Sequence, residues 1–264
     1  VLADHLIEAV VYYGGFIAAG ESMAQPGRYF ANNVGGVICL LNTMLEYDVR
    51  RFVFSSSAAV YGEPESVPLT EEAPVRPVNP YGESKAMVEA MLRWYASQCD
   101  LRYVSLRYFN AAGATDKLGE DHRPETHLIP IVLQAALGQR RCVPLYGNDY
   151  PTPDGTCIRD YIHVSDLAQA HILALRRLEE GSGVYNLGNG RGFSNREVIE
   201  TARRITGRPI EVEEEERRPG DAPVLVASAE KAKAELGWKP QVTSLEEIVE
   251  SAWRWHRAHP QGYR

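Results

Sequence analysis

Three short segments in the first 110 residues are rich in Val, Phe and Tyr and end in small or polar residues. They are "EAVVYYGG" (8–15), "RRFVFSSSAAVYG" (50–62) and "LRYVSLRYFN" (101–110). Nearly continuous apolar runs of this kind are typical of parallel strands that are buried on both faces. Helical periodicity lies between them, at 28–47 and 81–97. This alternation predicts an α/β fold built on a doubly wound, mostly parallel, Rossmann-like sheet.

The pattern changes after residue 112, where loop-like and turn-rich stretches predict the start of a second, smaller α/β lobe. "IRDYIHVSDLAQAHILALRRL" predicts a short strand followed by an amphipathic helix from about residue 165. We expect this strand, and the later strand "GVYNLG", to return to the main sheet. Further helices are predicted at 128–138, 194–206, 229–236 and 244–258. The main domain is therefore predicted to comprise 1–112 and 156–192, and the smaller one 113–155 and 193–264.

Charge and composition narrow the classes of partner. The chain of 264 residues has a net charge of -7 and no run of Lys or Arg, which argues against a nucleic-acid surface or an anionic membrane patch. No stretch approaches the roughly 20 apolar residues of a membrane span. Four cysteines lie far apart without CxxC spacing, as is typical of free thiols in a reducing compartment. We expect a cytoplasmic protein that binds small molecules.

The stretch "PYGESKAMVEAML" (80–92) places Tyr81 and Lys85 four residues apart on one helix face, with Pro80 at a position that suits a helix start. Spacing alone is weak evidence, because the chain has 14 tyrosines. The position adds weight, since open α/β sheets bind ligands at the edge where Ser55 and Ser57 are predicted to lie. An ammonium about 6 Å away stabilises a phenolate by ~3 kcal/mol, so we expect a lowered Tyr81 pKa.

Several motifs together carry a family resemblance. Ser57, "YGESK" and "RYFN" resemble the extended short-chain dehydrogenase/reductase superfamily. The later stretches "GEDHRPETHLIP", "YGNDYPTPDGTCIRDYIHVSDLAQAH", "YNLGNG", "RRPGDAP" and "HPQGY" occur in the order that UDP-glucose 4-epimerases carry them. The resemblance to that family spans practically the whole chain. It implies bound NAD, a UDP-hexose substrate, and inversion at C4 through a transient 4-keto intermediate.

The resemblance also implies roles for individual residues. Tyr81 is expected to be the acid/base at the sugar 4-hydroxyl, Ser57 its hydrogen-bonding partner, and Lys85 a ligand of the cofactor ribose. The larger domain would hold NAD and the smaller one the nucleotide sugar. The expected cofactor contacts are Tyr13, Gly15, Asn32, Ser55, Tyr81, Lys85, Tyr108 and Phe109. The expected substrate contacts are Ser57, Asn110, His127, Leu128, Tyr146, Arg159, Arg218, Asp221 and Leu225.

The chemistry of the substrate group suits these roles, although each residue also has an ordinary structural explanation. A guanidinium fork such as that of Arg159 or Arg218 suits a diphosphate, but Arg159 could equally form a salt bridge with Asp160 or Asp166. By the resemblance, Asp221 would accept a hydrogen bond from a ribose or sugar hydroxyl, and Tyr146 would pack against uracil. No metal site is expected, because the histidines lack ligand spacing along the chain.

The beginning of the chain departs from the family pattern. Epimerases of this family open with a strand, a glycine-rich turn and a helix whose N-terminus holds the NAD pyrophosphate. This sequence shows no such turn, so we expect roughly 60 to 70 residues to be missing relative to that pattern. The first strand would then lie at an exposed sheet edge, and the chain alone would hold NAD poorly, which makes its activity doubtful.

Two other functions stay open on sequence grounds. One is a catalytically inactive UDP-sugar-binding or dimer-forming remnant. The other is a nucleotide-sugar 4,6-dehydratase, although that enzyme needs an acidic pair where this chain has Ala58 and Ala59. The helices at 28–47 and 81–97 resemble the family's dimer contact, which predicts a homodimer. Leu225, where some members carry Tyr, predicts that N-acetylated sugars are admitted.

Overall fold

A computed structural model describes residues 2–263 of the chain. Its main sheet has four parallel strands in the order β1, β2, β3, β7. The three apolar segments of the first 110 residues form three of these strands, which confirms the predicted fold class. Within the described residues β1 lies at one edge of the sheet. The strands are β1 (Val10–Tyr12), β2 (Arg51–Ser57), β3 (Arg102–Tyr108) and β7 (Gly183–Leu187).

Helices cover both faces of this sheet. On one face, Val37, Leu41, Val88 and Leu92 pack with Phe52 and neighbouring strand residues in a buried cluster. On the other face, helices α6 and α8 pack over β3 and β7. The sheet is therefore doubly wound, as predicted. The helices of these layers are α1 (Ala19–Ala24), α2 (Pro26–Tyr29), α3 (Gly36–Glu46), α4 (Pro80–Cys99), α6 (Val164–Arg177) and α8 (Glu230–Leu236).

The helix predicted at 28–47 is not one regular α-helix. A π-helical segment, Phe30–Gly35, joins α2 to α3. Asn33 and Val34 are the buried residues of this segment. Such wider turns are rare and are found mostly at functional sites.

The start of α4 is fixed by its sequence. Asn79 is the N-cap, and its side-chain oxygen accepts the backbone N–H of Gly82 at 2.8 Å, while Pro80 occupies the first helical position. The backbone N–H of Tyr81 is donated to the hydroxyl of Ser22 on α1 at 3.1 Å. Tyr81 therefore lies in a first turn that is held from outside the helix.

The strand that contains Arg159 does not join the main sheet. It pairs in parallel with β10 and β4, and β8 pairs with it in antiparallel fashion. The expectation that both later strands return to the main sheet is therefore correct for β7 and wrong for β6. The strands of this second sheet are β4 (Asn110–Ala112), β6 (Ile158–His163), β8 (Gly192–Ser194) and β10 (Val224–Leu225).

A helical layer with its own buried core completes the second lobe. A two-stranded parallel sheet of β5 (Val143–Tyr146) and β9 (Val212–Glu215) flanks it. Its helices are α5 (Leu128–Ala136), α7 (Asn195–Thr206) and α9 (Leu245–Ala258). Ser194 and Glu197 form a capping box at the start of α7. The domain boundaries drawn from the sequence stay a prediction.

The four cysteines are free thiols. Over residues 2–263, none of the helices is both long and apolar enough to cross a membrane.

Candidate active site

A cavity of about 550 Å³ lies at the carboxyl ends of β2 and β3, against the second lobe. This volume is in the range of small-molecule sites. Most of the residues that the sequence predicts as functional line it. They are Ser57, Tyr81, Tyr108, Phe109, Asn110, His127, Leu128, Arg159, Arg218, Asp221 and Leu225.

Ser57 and Tyr81 both line this cavity, and their hydroxyls are close enough for Ser57 to lower the pKa of Tyr81. Ser57 is the last residue of β2, and its oxygen also accepts the backbone N–H of Ala59 at 3.1 Å, at the start of a 3₁₀ turn. Burial raises the pKa of Tyr81, and the hydrogen bond with Ser57 only partly opposes this. The expectation of a lowered Tyr81 pKa is therefore wrong for the protein without ligands.

Lys85 lies behind Tyr81, outside the cavity lining. Its side chain is 4% exposed, and its ammonium lies 5.9 Å from the centre of the Tyr81 ring. The Nζ atom donates to the backbone oxygen of Ser55 at 2.8 Å. Burial lowers the pKa of Lys85 to about 8, because the charged form is poorly solvated there. The amine is thus charged at neutral pH but gives up its proton more readily than an exposed lysine.

The surroundings of Lys85 fit a ligand rich in hydroxyl groups. An ammonium has three hydrogens, and one of them goes to the Ser55 oxygen. A Cβ added at Gly15 would lie 3.6 Å from Nζ, and Gly15 has a φ of +137°, which side chains rarely adopt. The backbone can therefore approach closely at this point, as a bound dinucleotide requires.

Other residues predicted to contact the cofactor lie beside this region, and of these Tyr108 also lines the cavity. The hydroxyl of Tyr108 is hydrogen-bonded to Ser55 Oγ at 2.8 Å and to Nε2 of His171. Tyr13 lies over the His171 ring, with 4.7 Å between ring centres. Asn32 is exposed and donates to Asn33.

Asn33, and not the predicted Asn32, is the buried residue of this asparagine pair. Its side-chain oxygen accepts the backbone N–H of Phe16 at 2.8 Å, and its amide donates to Ser84 on α4 at 3.1 Å. Asn33 is 3% exposed. The sequence gives two adjacent asparagines without indicating which one faces inward, because the π-helical segment shifts the helix face.

Two arginines and one carboxylate form the opposite part of the cavity wall. Arg218 donates to both oxygens of Asp221, at 3.0 and 3.1 Å. Arg159 donates to the backbone oxygen of Ala222 at 2.7 Å and lies 3.7 Å from Asp221. Two guanidiniums thus share one carboxylate, which leaves positive charge for an anion such as a diphosphate.

The alternative salt bridges considered for Arg159 do not form. The carboxylates of Asp160 and Asp166 instead accept backbone N–H groups of neighbouring segments. Tyr146 lies outside the cavity lining and is 38% exposed, with the Arg218 guanidinium 5.5 Å from its ring centre. A role for Tyr146 beside a base stays a prediction.

A buried polar network beneath the site has no counterpart in the sequence prediction. Glu89 of α4 accepts hydrogen bonds from Ser56 at 2.6 Å and from Nε and Nη2 of Arg107 at 3.0 and 2.5 Å. Arg107 also donates to Tyr61 at 2.8 Å. Because Glu89 lies one turn after Lys85, its position on the buried helix face is the signal that could have identified it.

Two further residues of the cavity lining, Glu120 and His122, were not predicted either. They belong to the loop before α5, where residues far from regular periodicity give no sign of which way they face. Ligand spacing along the sequence indicates no metal site, but this loop folds so that its histidines and glutamates meet.

Comparisons with known proteins agree with this geometry. The family model "NAD dependent epimerase/dehydratase family" matches residues 1–188. A curated UDP-glucose 4-epimerase from Halalkalibacterium halodurans is 54% identical over 100% of this chain and 80% of its own length. A crystal structure of a UDP-glucose 4-epimerase is 51% identical, with a TM-score of 0.95, covering 99% of this chain and 81% of the other.

A further similar structure was solved with two ligands bound. It is a UDP-glucose 4-epimerase from Bifidobacterium longum in complex with NAD+ and UDP, 41% identical, with a TM-score of 0.94 over 99% of this chain and 79% of that one. In each of these alignments, about a fifth of the relative's own length has no counterpart in the aligned region. They support neither the missing start nor the poor NAD retention expected from the sequence. With a family model matching most of its length and relatives near 50% identity, the chain belongs to the NAD-dependent epimerase/dehydratase family.

Proposed function

We propose that this chain is a UDP-hexose 4-epimerase that interconverts UDP-glucose and UDP-galactose with bound NAD. The observation that carries the proposal is the placement of Ser57 and Tyr81 together at the cavity wall, with the buried amine of Lys85 behind them. The membership of an NAD-dependent family and the names of the relatives support the substrate and the cofactor.

In this reaction NAD, when bound, supplies the acceptor and donor of the C4 hydride. Tyr81 would take the proton of the 4-hydroxyl, and it would return that proton to the C4 oxygen when the hydride comes back to the opposite face of C4. Ser57 would help to hold the tyrosine oxygen in place. Lys85 would hold ribose hydroxyls of the cofactor, and its charge would stabilise the Tyr81 phenolate that accepts the proton.

The opposite wall anchors the substrate. Arg159 and Arg218 would bind the diphosphate, and Asp221 would accept a hydroxyl of the ribose or sugar. A diphosphate that replaces Asp221 as their partner keeps both guanidiniums paired. Tyr146 would pack against uracil, while Asn110, His127, Leu128 and Leu225 border the nucleotide and sugar. Such an anchor lets the sugar turn over while the nucleotide stays bound, which inversion at C4 requires.

The test is an assay of the purified full chain with UDP-galactose in the presence of added NAD. We expect UDP-glucose to form, with no net reduction of NAD. The proposal fails if no conversion occurs although NAD and UDP bind. That result, together with the absence of NAD released on denaturation of the purified chain, would favour the inactive UDP-sugar-binding remnant.

The structure gives no support to the 4,6-dehydratase alternative. That reaction needs an acidic pair after the strand-end serine, and the residues there are Ala58 and Ala59, which line the cavity. Product analysis separates the two reactions, because a dehydratase would release a 4-keto-6-deoxy sugar nucleotide.

Homodimer formation through α3 and α4 is part of the proposal. Three apolar side chains on these helices are exposed: Ile38 by 40%, Met87 by 41% and Trp94 by 69%. Light scattering should give twice the chain mass of 29.4 kDa, and Trp94→Glu should give a monomer. As a matched control, Ile172→Glu replaces an apolar residue of α6 that is 55% exposed. If the unmutated protein is a monomer, the proposed homodimer is contradicted.

The position of Leu225 at the cavity wall supports acceptance of an N-acetylated sugar. Under equal conditions, UDP-N-acetylglucosamine should be converted, and Leu225→Tyr should lose that conversion more than the conversion of UDP-glucose. Equal loss on both substrates would contradict this expectation.

A further inference from the structure

Four potential metal ligands meet on the loop that leads into α5. Each offers one ligand atom, and these atoms all lie within 4.8 Å of one another. We call this group the Glu–His cluster; it consists of Glu120, His122, Glu125 and His127. The two imidazole rings lie 5.3 Å apart between centres. The cluster is therefore compact enough for one ion to reach all four side chains.

The distances within the cluster are close to those around a bound ion. Nδ1 of His122 lies 3.0 Å from Glu120 Oε1, and Nδ1 of His127 lies 3.6 Å from Glu125 Oε1. A tetrahedral zinc ion with bonds of about 2.1 Å separates its ligand atoms by about 3.4 Å. His127 and Glu120 are in direct hydrogen-bond contact. Both imidazole contacts of Glu120 must lengthen, with the ion taking the place of the bridging hydrogens.

The charges of the cluster favour a cation. Glu125 has a side-chain exposure of only 5%, and Glu120 of 19%. Over residues 2–263, the ion pairs found for these two carboxylates are with imidazoles. Each imidazole can present a nitrogen lone pair to a metal ion instead of a proton to a carboxylate. A divalent ion would then neutralise two largely buried carboxylates, which otherwise are costly to desolvate.

The loop that carries the cluster is held by the C-terminal segment. The backbone N–H of Gly119 donates to the hydroxyl of Tyr263 at 2.9 Å, and that hydroxyl donates to the Gly119 oxygen at 2.8 Å. Arg123 donates to the backbone oxygen of Gln261 at 2.9 Å. One oxygen of Glu125 accepts the backbone N–H groups of residues 126 and 127. Ligands held in this way lose little freedom on binding an ion.

An ion could enter from two sides. Glu120 and His122 line both the large cavity and a smaller cavity of about 190 Å³ that also contacts Glu125. His127 lines the large cavity, so a bound ion would lie beside the proposed substrate site. The mixture of imidazole and carboxylate ligands suits zinc and neighbouring transition metals better than magnesium or calcium, which prefer oxygen alone.

We propose that the Glu–His cluster binds one divalent transition-metal ion. This inference goes beyond the epimerase reaction and does not depend on it, because it rests on the cluster geometry and charge alone.

The test is metal binding to the full chain after removal of metals with a chelator. Equilibrium dialysis against zinc chloride, with metal counted by mass spectrometry, measures stoichiometry and affinity. Cobalt(II) added to the same protein reports the coordination through its visible absorption bands. The variants are His122→Ala and Glu125→Gln. The matched control is His259→Ala, which removes another histidine of the smaller cavity that lies outside the cluster. Thermal melting confirms that each variant is folded.

We expect one zinc ion per chain, bound in a saturable way, and cobalt bands typical of nitrogen and oxygen ligands. Both cluster variants should weaken binding by at least about tenfold, while the control should bind as the parent does. The proposal is overturned if the parent shows no saturable binding. It is equally overturned if folded His122→Ala and Glu125→Gln both retain the parental affinity.

Discussion

The cavity has two walls that hold their side chains by different means. The sheet wall, formed by Ser57 and Tyr81 with Lys85 behind them, is fixed by strand ends, a capped helix start and a nearly inaccessible lysine. The arginine wall, formed by Arg159, Arg218 and Asp221, is held by ion pairs at its surface. The side-chain exposures there are 12%, 40% and 18%.

This difference agrees with the function proposed for each wall. Proton transfer needs a donor and acceptor held to within a few tenths of an ångström, and rigid elements supply that. Binding an anion needs charge that can turn from an internal partner to the ligand, and a guanidinium shared with one carboxylate supplies that. A variant in the sheet wall should therefore affect turnover, and one in the arginine wall should affect substrate affinity.

The largest effect should come from Tyr81→Phe, which removes one hydroxyl from the sheet wall. We expect kcat to fall by about 10²- to 10⁴-fold, because the proton of the 4-hydroxyl loses its acceptor. The measurement is conversion of UDP-galactose under saturating substrate. Tyr95→Phe on the same helix is the matched control, since its hydroxyl donates to the exposed residue Asn42. Near-parental turnover by Tyr81→Phe would refute the assignment.

Support beneath the sheet wall is tested by Glu89→Ala. Removing Glu89 leaves the Arg107 guanidinium, which is 5% exposed, without its carboxylate partner. We expect the free energy of unfolding to fall by about 3–5 kcal/mol, measured by urea denaturation. Glu83→Ala, at an exposed position on the same helix, should change it by less than about 0.5 kcal/mol. Equal effects of the two variants would show that the Glu89 network adds nothing to the free energy of unfolding.

On the arginine wall, Arg218→Ala should act on affinity. Loss of a charge-assisted hydrogen bond of about 1.5–3 kcal/mol should raise KM for UDP-galactose by about 10- to 100-fold, with a smaller change in kcat. The neighbouring Arg217→Ala is the control, because Arg217 pairs with Asp149 outside the cavity. A fall in kcat without a rise in KM would remove the distinction between the two walls.

A comparable effect should appear in the pH dependence of stability. The pKa of Lys85 is about 8 in the folded protein, against an ordinary value of 10.5. Between these pH values the unfolded chain keeps a proton that the folded chain has lost, so stability rises with pH. The parent should therefore gain stability relative to Lys85→Met from about pH 8 to 10.5.

Urea denaturation across this pH range provides the measurement. Lys233→Met, which removes a lysine that is 45% exposed, should follow the parent at every pH. Parallel curves for the parent and Lys85→Met would contradict burial as the cause of the lowered pKa.

Local signals explain what the sequence could predict. Apolar runs identify β1, β2 and β3, and Pro80 indicates the start of α4, so Ser57, Tyr81 and Lys85 are found together. The partner of β6 could not be predicted, because strand pairing depends on residues far apart in the chain. The prediction of a lowered Tyr81 pKa was wrong because burial raises this pKa and the contact with Ser57 opposes the rise only in part. The Glu–His cluster was not predicted, because its members come together only through the conformation of a loop.

The start of α4 links the position of Tyr81 to a separate element. The backbone N–H of Tyr81 is held by Ser22 of the six-residue helix α1, and that of Gly82 by Asn79. Opening fluctuations begin in short elements of low local stability. If α1 detaches, Tyr81 loses this backbone hydrogen bond in the same event. The fraction of molecules in which the proposed acid/base is correctly positioned is therefore expected to depend in part on α1.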